Sequence, residues 1–414
     1  MKTPDLTIGE ILNPSAYAEW DAFVNAQPLS TIFHLSAWNR IAEKVYGIAN
    51  AIIVSRAPDG SIRAGTPVFF AKRPGSWYVT SGIFGSYGPI LVREGEEHRD
   101  GLREVLDGAV EYARARRVKY IHLKGLEGPK GKNDFLHPSY ERQDIWVTAF
   151  KNISGTREEL WKSLPGPMRT KVRKAEKSEL STHWGSAPSD LAEFYEVLAD
   201  NMHRKGSPIY GQAFMEAILE EFHEERGGKL IQTEASILTL RLSDAAVIES
   251  SASETAATDG SAAAQRVSEP NAVKSTTSPA ITAAKSNTTE EIVSGAIVLR
   301  HAGVVYVPFV SSRAKYFPLR PNNLLYWEII RDGNQRGMEW LDFGTSIRGA
   351  STLQFKESWG AKTYPVVSYV YSESGEKIRL DAGSSSVQIG VEIWKKLPRR
   401  TADWLGPKLS AWMV

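Results

Sequence analysis

The amino-acid sequence predicts an α/β protein of the α+β type, built from two units in tandem. Its 414 residues are too many for one ordinary hydrophobic core, so two domains are expected. Amphipathic helix patterns lead into groups of strand patterns, then into a helix and further strands, and this order occurs twice. Because no repeat is visible residue by residue, the duplication is inferred from the order of the elements alone.

The first unit is predicted to span residues 1–150. Asn13-Pro14-Ser15 supplies cap chemistry for a first helix. Leu35, Trp38 and Ile41 begin the apolar stripe of a second helix. The complete predicted series is a strand over 6–12, helices over 17–24 and 35–45, strands over 51–55, 66–71 and 77–80, a helix over 96–116, and strands over 119–123 and 145–150.

The second unit is predicted to span residues 151–372, and a C-terminal extension to cover 373–414. It repeats the change from helical periodicity to short apolar runs. The predicted series is helices over 157–163, 168–177, 190–202 and 212–224, strands over 229–232, 236–242, 296–300 and 304–310, a helix over 323–336, and strands over 338–343 and 366–371.

Residues 244–294 interrupt the second unit and differ from it in composition. The segment is dominated by Ala, Ser, Thr, Glu and Asp, contains no aromatic residue and shows no heptad pattern. Such a composition buries too little apolar surface to offset the entropy cost of ordering. The sequence therefore predicts a disordered insertion between two strands.

Composition narrows the class of protein. The 50 Lys and Arg residues nearly balance 48 Asp and Glu residues, which argues against a DNA-binding polycation and requires any anion site to be a local cluster. The absence of cysteine excludes disulfides, thiolate metal sites and a cysteine nucleophile. The eight histidines lack metal-binding spacing, so no metal is expected. With no signal-like start and no long apolar run, we expect a cytoplasmic protein without a transmembrane segment.

The strongest chemical candidates lie between Trp340 and Gly360. An apolar strand pattern runs into Asp342-Phe343-Gly344, and Phe355-Lys356 follows before another glycine. A carboxylate can accept the proton of an attacking amine, and an ammonium can stabilise a tetrahedral oxyanion. Asp342 and Lys356 are therefore predicted catalytic residues of an acyl-transfer site. The alternative is a salt bridge between Asp342 and Lys356 that only holds two strand ends.

A basic helix supplies a candidate anion site. Arg169, Arg173 and Lys177 recur every four residues and share one helical face, with Lys174 beside it. Such a face can hold phosphate, although an ordinary solvated helix face has the same pattern.

Other candidate substrate-binding residues are more scattered. A turn follows the cationic end of a helix, so His203, Arg204 and Tyr210 are predicted to face a groove, although cations also complement a helix C-terminus. A glycine-rich turn carries Tyr87. The remaining candidates are Trp38, Ser346 and Trp359.

Several of these motifs together resemble a known family. Phe33-His34 with Trp38 and Tyr46-Gly47, the Arg-x3-Arg-Lys-Ala block at 169–175, Gly206-Ser-Pro-Ile-Tyr210, Asp342-Phe-Gly-x-Ser346 and Phe355-Lys356-x2-Trp359-Gly360 occur in the family's order. The sequence is similar to the FemAB/FemX-like branch of the GNAT superfamily. Within it, the sequence most resembles the FemAB-related proteins of PEP-CTERM and exosortase systems. The resemblance covers about residues 6–372, except for the insertion.

The resemblance implies two tandem GNAT-like (acyl-CoA N-acyltransferase) domains with a cleft between them. It also implies transfer of an acyl or aminoacyl group to an amine of a cell-envelope, peptidoglycan or exopolysaccharide precursor. By the same resemblance, Phe355 and Lys356 lie at the acyl-transfer site, and Arg173 lies near a phosphate-bearing substrate. Members that use aminoacyl-tRNA typically carry an inserted coiled-coil arm, and this sequence shows no heptad segment. Acyl-CoA and aminoacyl-tRNA therefore both stay open as donor substrates, with no bound cofactor expected.

Two functions of different classes follow from these patterns. The first is an acyltransferase that forms an amide by direct attack of a substrate amine. The second is a non-catalytic module that binds a carbohydrate or anionic polymer, which the 12 tryptophans and the basic helix also fit.

Overall fold

A single sheet of 14 strands runs through the part of the chain that the computed structural model describes, with helices on both of its faces. The structure describes residues 9–73, 76–88, 90–93, 98–132, 139–223, 233–243, 290–380 and 385–410. Among these residues, no helix is both long and apolar enough to cross a membrane.

The strands are β1 (Glu10–Ile11), β2 (Asn50–Arg56), β3 (Ile62–Arg73), β4 (Ser76–Thr80), β5 (Leu91–Val92), β6 (Tyr120–Gly128), β7 (Gly131–Lys132), β8 (Glu141–Asn152), β9 (Ser181–Gly185), β10 (Thr233–Ser243), β11 (Glu290–His301), β12 (Val304–Ser312), β13 (Trp340–Ile347) and β14 (Lys362–Tyr371). The helices are α1 (Tyr17–Asn25), α2 (Ala37–Tyr46), α3 (His98–Ala115), α4 (Arg157–Ser163), α5 (Gly166–Glu176), α6 (Pro188–Lys205), α7 (Gln212–Glu221), α8 (Pro321–Gln335), α9 (Ser351–Glu357), α10 (Ser385–Lys396) and α11 (Arg399–Ser410).

Strand order shows that the two units exchange strands. The main path through the sheet is β1-β2-β3-β4-β6-β14-β8-β13-β12-β11-β10-β9. β14, the last strand of the chain, lies between β6 and β8 and is antiparallel to both. β8 in turn pairs with β13. The late strand therefore completes the sheet of the first unit and joins it to the second.

Two parallel pairs interrupt an otherwise antiparallel sheet. β4 runs parallel to β6 in the first unit, and β12 runs parallel to β13 in the second. Each pairing continues for a short stretch only, ending at Thr80 and His122 in the first pair and at Tyr306 and Asp342 in the second. The matching positions of these pairs support the duplication that element order predicted.

Local sequence explains why the helices begin and end where they do. The side chain of Thr156 and that of Glu159 form a reciprocal capping box at the start of α4. Pro188 occupies the first turn of α6, where its missing N–H costs nothing, and Gly206 ends that helix with φ of +77°. In β11 the residues from Val293 to His301 are buried, as expected for a strand covered on both faces.

The core is continuous across the two units. Trp38 of α2 packs against Phe222, with ring centroids 5.5 Å apart. At the edge of this contact, Arg40 pairs with Glu221 at 2.8 Å. α3 covers β2 and β3 of the first unit, whereas α6 and α8 pack on β11 and β12 of the second.

The predicted α/β fold class is confirmed, and most predicted helices and strands lie within a few residues of the observed ones. The short strands β5, β7 and β9 and the helices α9, α10 and α11 had no predicted counterpart. The end of the predicted insertion requires a correction, because residues 290–294 belong to β11, where Ile292 and Val293 extend the apolar pattern upstream. Residues 244–289 and the predicted strand over 229–232 lie outside the described residues. The predicted boundary at residue 150 lies within β8.

A substitution in β14 is expected to weaken both units at once. Val367 is fully buried in the core of the first unit, on the strand that joins this unit to the second, so Val367→Ala should lower the free energy of unfolding by about 2 kcal/mol. In urea unfolding, we expect a single cooperative transition, and Val367→Ala should shift its midpoint to a lower urea concentration without splitting it. Thr363→Ala, on a half-buried position of the same strand, is the matched control and should change little. A variant that unfolds in two separate transitions, only one of them shifted, would contradict the coupling of the two units through β14.

Candidate functional site

A pocket of about 530 Å³ opens where β12 and β13 separate. The two strands stop pairing after Tyr306 and Asp342, but β12 continues to Ser312 and β13 to Ile347. Residues of both continuations line the pocket, together with residues of the first unit. Pockets bounded by unpaired strand backbone offer donors and acceptors to a ligand, so the strand separation itself creates this site.

Asp342 is buried at the floor of the pocket, with 1% of its surface exposed. Its Oδ1 accepts hydrogen bonds from Thr148 Oγ1 at 2.6 Å and from the Gly344 N–H at 2.8 Å. Its Oδ2 accepts one from the hydroxyl of Tyr87. Burial raises the pKa of Asp342 above its ordinary value, although these hydrogen bonds and the charge of Lys356 oppose the increase.

A bulge next to Asp342 holds Lys356. The pairing of β13 with β8 shifts between Asp342 and Thr345, and Gly344 has φ of +78°, which a residue without Cβ adopts freely. The bulge turns the carbonyls of Gly344 and Thr345 towards Lys356 Nζ, which donates to them at 2.7 and 2.9 Å. Two of the three ammonium N–H groups are thereby used.

Lys356 lies on α9 and not at a strand end, as its place before a glycine turn had suggested. It lines the pocket with 9% of its surface exposed. Burial lowers the pKa of Lys356 to about 8, and the charge of Asp342 limits the decrease. Asp342 and Lys356 attract each other electrostatically, but their hydrogen bonds go to other groups: Asp342 accepts from Thr148, Gly344 and Tyr87, and Lys356 donates to two backbone carbonyls. This arrangement differs from the direct salt bridge that was the alternative interpretation.

Tyr87 reaches Asp342 from a loop that is wound around one lysine of the first unit. The loop covers residues 81–88, and Lys124 Nζ donates to the carbonyls of Gly82 at 2.8 Å and Ser86 at 3.1 Å. The backbone of Lys124 also bonds to the Ser81 hydroxyl and bridges to Gly88. β4 and β6 stop pairing after Thr80 and His122, and this loop fills the gap between them. In the second unit, the corresponding gap between β12 and β13 forms the pocket.

Aromatic side chains form much of the remaining pocket wall. Phe33 packs edge-on against Tyr87 and Tyr306, with ring centroids 5.5 Å apart in both pairs. Tyr326 packs on Phe355 at 5.6 Å. Other lining aromatics are Trp38, Phe84, Phe214, Phe309, Phe317 and Phe343. The wall therefore offers aromatic faces on which a ligand could stack.

Two cations line another part of the pocket. Arg204 and Lys205 stand at the end of α6, and Arg204 donates to Asn201 Oδ1 at 2.7 Å. The Arg204 guanidinium lies 5.6 Å from the ring centroid of Phe317. Burial, with repulsion from Arg204 as the smaller cause, lowers the pKa of Lys205. Paired cations of this kind suit a phosphate or carboxylate group.

Of the predicted site residues, the pocket brings together Asp342, Lys356, Phe355, Tyr87, Trp38 and Arg204.

The predicted cations of α5 lie elsewhere. The Arg173 guanidinium lies 5.2 Å from the Trp161 ring centroid, in a separate groove of about 270 Å³. Arg169 donates to the carbonyl of Lys162 at 3.1 Å, and Lys174 is exposed.

The other predicted residues stand behind the pocket wall. Trp359 is fully buried in the core and packs on Tyr326 at 5.8 Å, because it closes the turn after α9. Tyr210 packs behind Phe84, and the Ser346 hydroxyl lies 3.3 Å from that of Thr352. His203 Nε2 lies 2.9 Å from the carbonyl oxygen of Leu397.

Sequence reasoning missed three residues that shape the site. Thr148 and Tyr306 fit ordinary strand patterns, and only the pairing of strands distant in the chain brings them to Asp342. For Lys124, the sequence shows only a cation that follows a predicted apolar strand, a pattern that does not predict a role in the site. Lys205, by contrast, stood inside the cationic segment already singled out. No group of three His, Asp or Glu side chains within the described residues is arranged to hold a metal ion.

Comparison with known proteins identifies the fold. Residues 280–357 match the model of the acetyltransferase (GNAT) domain family. No curated protein matches the chain. The crystal structure of FemX is similar over 87% of this chain and 96% of that one, at 16% identity and a TM-score of 0.58.

Two further solved structures are similar to the chain. A conserved protein of unknown function from Bacteroides thetaiotaomicron matches 88% of this chain and 99% of its own, at 9% identity and a TM-score of 0.50. A tandem GNAT protein from the clavulanic acid biosynthesis pathway matches 90% and 99%, at 10% identity and a TM-score of 0.47. The similarity to FemX confirms the predicted α/β fold, and the family model matches one GNAT domain within the second unit.

The ionisation of Lys356 provides a direct test of the site's electrostatics. We expect its amine to titrate near pH 8, and not near the ordinary 10.5, because burial disfavours the charged form. Asp342→Asn should lower the pKa further, since it removes the negative charge that favours the ammonium. NMR of ¹³C-methylated lysines, with the signal assigned through Lys356→Arg, measures both values.

The matched control is Asp332→Asn, whose carboxylate pairs with Arg300 and Arg336 instead. This substitution should leave the pKa of Lys356 unchanged. A titration of Lys356 at its ordinary value, or an equal shift in the control, would contradict the electrostatic arrangement.

Proposed function

We propose that this chain is an N-acyltransferase that forms an amide bond on an amine of a cell-envelope, peptidoglycan or exopolysaccharide precursor. One observation carries the proposal: an ammonium group, Lys356, is held by two backbone carbonyls on the floor of a pocket bounded by separated strands. The match of residues 280–357 to a GNAT domain supports the reaction class. The similarity of the fold to FemX supports an envelope acceptor as the hypothesis to test.

The proposed step is direct attack on the donor's acyl carbon. The acceptor nitrogen forms the new C–N bond, and the bond from the acyl carbon to the donor's sulfur or oxygen breaks. The nitrogen loses one proton and the leaving group gains one, so the step balances. Lys356 is assigned to stabilising the oxyanion of the tetrahedral intermediate, because its remaining N–H is available and the lysine is buried.

Asp342 is assigned a supporting role in this step. Three hydrogen bonds already occupy its two oxygens, from Thr148, Gly344 and Tyr87. The carboxylate fixes the bulge whose carbonyls hold Lys356, and its charge favours the ammonium form of that lysine. Its raised pKa also makes it a better proton acceptor than an exposed carboxylate.

The proposed donor is an acyl-CoA or an aminoacyl-tRNA. Both carry phosphate, and Arg204 with Lys205 offers cations on the wall of the same pocket. The aromatic wall suits the sugar rings or apolar portions of an acceptor. GNAT-fold enzymes take acyl-CoA as donor, which makes it the first donor to assay.

Removal of the Lys356 ammonium is expected to abolish turnover. Acyl-CoA and aminoacyl-tRNA pools would be incubated with amino sugars and nucleotide-linked precursors, and amide products identified by mass spectrometry. With the substrate pair so found, Lys356→Met should reduce kcat by about 100-fold or more, because an oxyanion donor is lost. Lys362→Met, on an exposed lysine of β14, should retain activity.

Full activity of Lys356→Met would overturn the catalytic assignment. Ligand binding that persists in the Lys356→Met, Asp342→Asn double variant, with no amide formed from any donor by the unaltered chain, would favour a non-catalytic carbohydrate- or anion-binding module instead.

The position of the donor's phosphates can be tested separately. Arg204→Ala combined with Lys205→Ala should raise the KM for the donor by about tenfold or more with a smaller change in kcat, since charge-assisted hydrogen bonds are lost. The comparison is Arg173→Ala combined with Lys174→Ala on α5, which removes the same charge outside the pocket. A larger effect of the α5 pair would move the phosphate site to the groove beside Trp161.

A further inference from the structure

The C-terminal helix pair, α10 and α11, has an inner face that fixes it to the body of the protein. Arg399 pairs with Asp403 at 2.8 Å within α11 and reaches Asp200 of α6 at 3.3 Å. Gly406 lies so close to Ile209 that an added Cβ would come within 3.0 Å of its side chain. The carbonyl of Leu397, between the helices, lies 2.9 Å from His203. The pair is therefore a docked part of the fold and presents one face outward.

The outer face of the pair is unusually apolar for a protein surface. Trp404 is 63% exposed, Ile393 is 59% exposed and Leu409 is 37% exposed. These are three of the seven large exposed hydrophobic side chains among the described residues, and all three fall between residues 385 and 410. Isolated exposed apolar side chains need no explanation, but such a concentration indicates an interaction surface.

The helix pair as a whole carries an excess of positive charge. From Ser385 to Ser410 the sequence holds five Lys and Arg residues against two acids, a net of +3, whereas the whole chain has a net charge of only +2. The ion pairs of the region involve Lys395, with Glu392, and Arg399. The outer cations Lys396, Arg400 and Lys408 have no ion-pair contact with a carboxylate within the described part of the chain.

Apolar and cationic groups alternate on one stripe of α11. Arg400, Trp404 and Lys408 are spaced by four residues and are exposed, so they follow one another along the helix surface. Lys408 Nζ lies 3.6 Å from the centroid of the Trp404 ring. A tryptophan flanked by cations is the pattern of a helix lying in a lipid headgroup layer, where the ring enters the interface and the cations meet phosphate.

We propose that the outer surface of the helix pair, with Arg400, Trp404 and Lys408 on α11 and Ile393 and Lys396 on α10, docks the protein on an anionic phospholipid surface. Charge complementarity selects this occupant, because the unpaired charge of the face is entirely positive and is combined with apolar side chains able to enter the headgroup layer. The attachment is peripheral and reversible. It does not depend on the proposed acyl transfer.

The helix pair that carries the docking face contacts the helix that contributes to the pocket wall. The C-terminal end of α6 carries Arg204 and Lys205 in the pocket wall, and the adjacent residues His203 and Gly206 contact the helix pair. Docking through α10 and α11 would therefore hold this end of the pocket near the membrane surface, where lipid-linked acceptors are found.

The test is flotation of the full chain with lipid vesicles. Binding is expected with vesicles of equal parts phosphatidylcholine and phosphatidylglycerol, to be much weaker with phosphatidylcholine alone, and to fall with added salt. Trp404→Ala should weaken binding roughly tenfold, because the main inserting ring is lost. Arg400→Gln combined with Lys408→Gln should also weaken it, by about fivefold for each cation.

The matched control is Trp77→Ala on the opposite end of the fold. Trp77 of β4 is 44% exposed, and Lys72 Nζ lies 5.0 Å from its ring centroid, so this tryptophan has the same cation–ring contact as Trp404 but lies outside the helix pair. Its loss should leave vesicle binding unchanged, and circular dichroism should show both tryptophan variants to be folded.

Equal binding of Trp404→Ala and the unaltered chain to anionic vesicles would overturn the proposal, as would equal binding to neutral and anionic vesicles. So would a concentration-dependent dimer that Trp404→Ala dissociates in light scattering, since a second copy would then cover the face. Transfer to a soluble acceptor should be unaffected by Trp404→Ala, which separates this test from that of the proposed function.

Discussion

The site depends on the burial of one carboxylate. A buried charge is costly unless hydrogen bonds replace its lost hydration, and Asp342 obtains them from three separate parts of the fold. Thr148 comes from β8, Tyr87 from the loop of the first unit, and Gly344 from the bulge of the same strand. Each donor requires its own segment to be in place. The carboxylate therefore couples the geometry of both units to the position of Lys356.

Each unit contains a pair of parallel strands that separate after a short stretch, but the gap beyond that point differs between the two units. In the first, the gap between the parallel strands is filled by the chain's own loop around Lys124. In the second, the equivalent gap stays open and holds the polar floor of the pocket. The loop that fills the gap in the first unit carries Tyr87, whose hydroxyl donates to Asp342 in the pocket of the second unit. The first unit therefore contributes a residue to the site of the second.

Sequence patterns predicted the fold class and most elements because helical and strand periodicities are local properties. They also identified Asp342 and Lys356, since polar residues beside glycine interrupt an apolar strand pattern. They could not reveal that α5 faces away from the pocket, because the solvated and ligand-binding faces of a basic helix have the same spacing. Thr148 and Tyr306 were missed because their role arises only from pairing between distant strands. The short helix α9 was missed for the opposite reason, as seven residues give too few turns for a period.

The place of β14 in the sheet has a consequence for biosynthesis. This strand is the partner of β6, yet more than half of the chain separates the two. During translation the edge of β6 stays uncovered until residue 371 has emerged from the ribosome. Uncovered strand edges invite pairing with other nascent chains, so the first unit needs protection while the second is being synthesised.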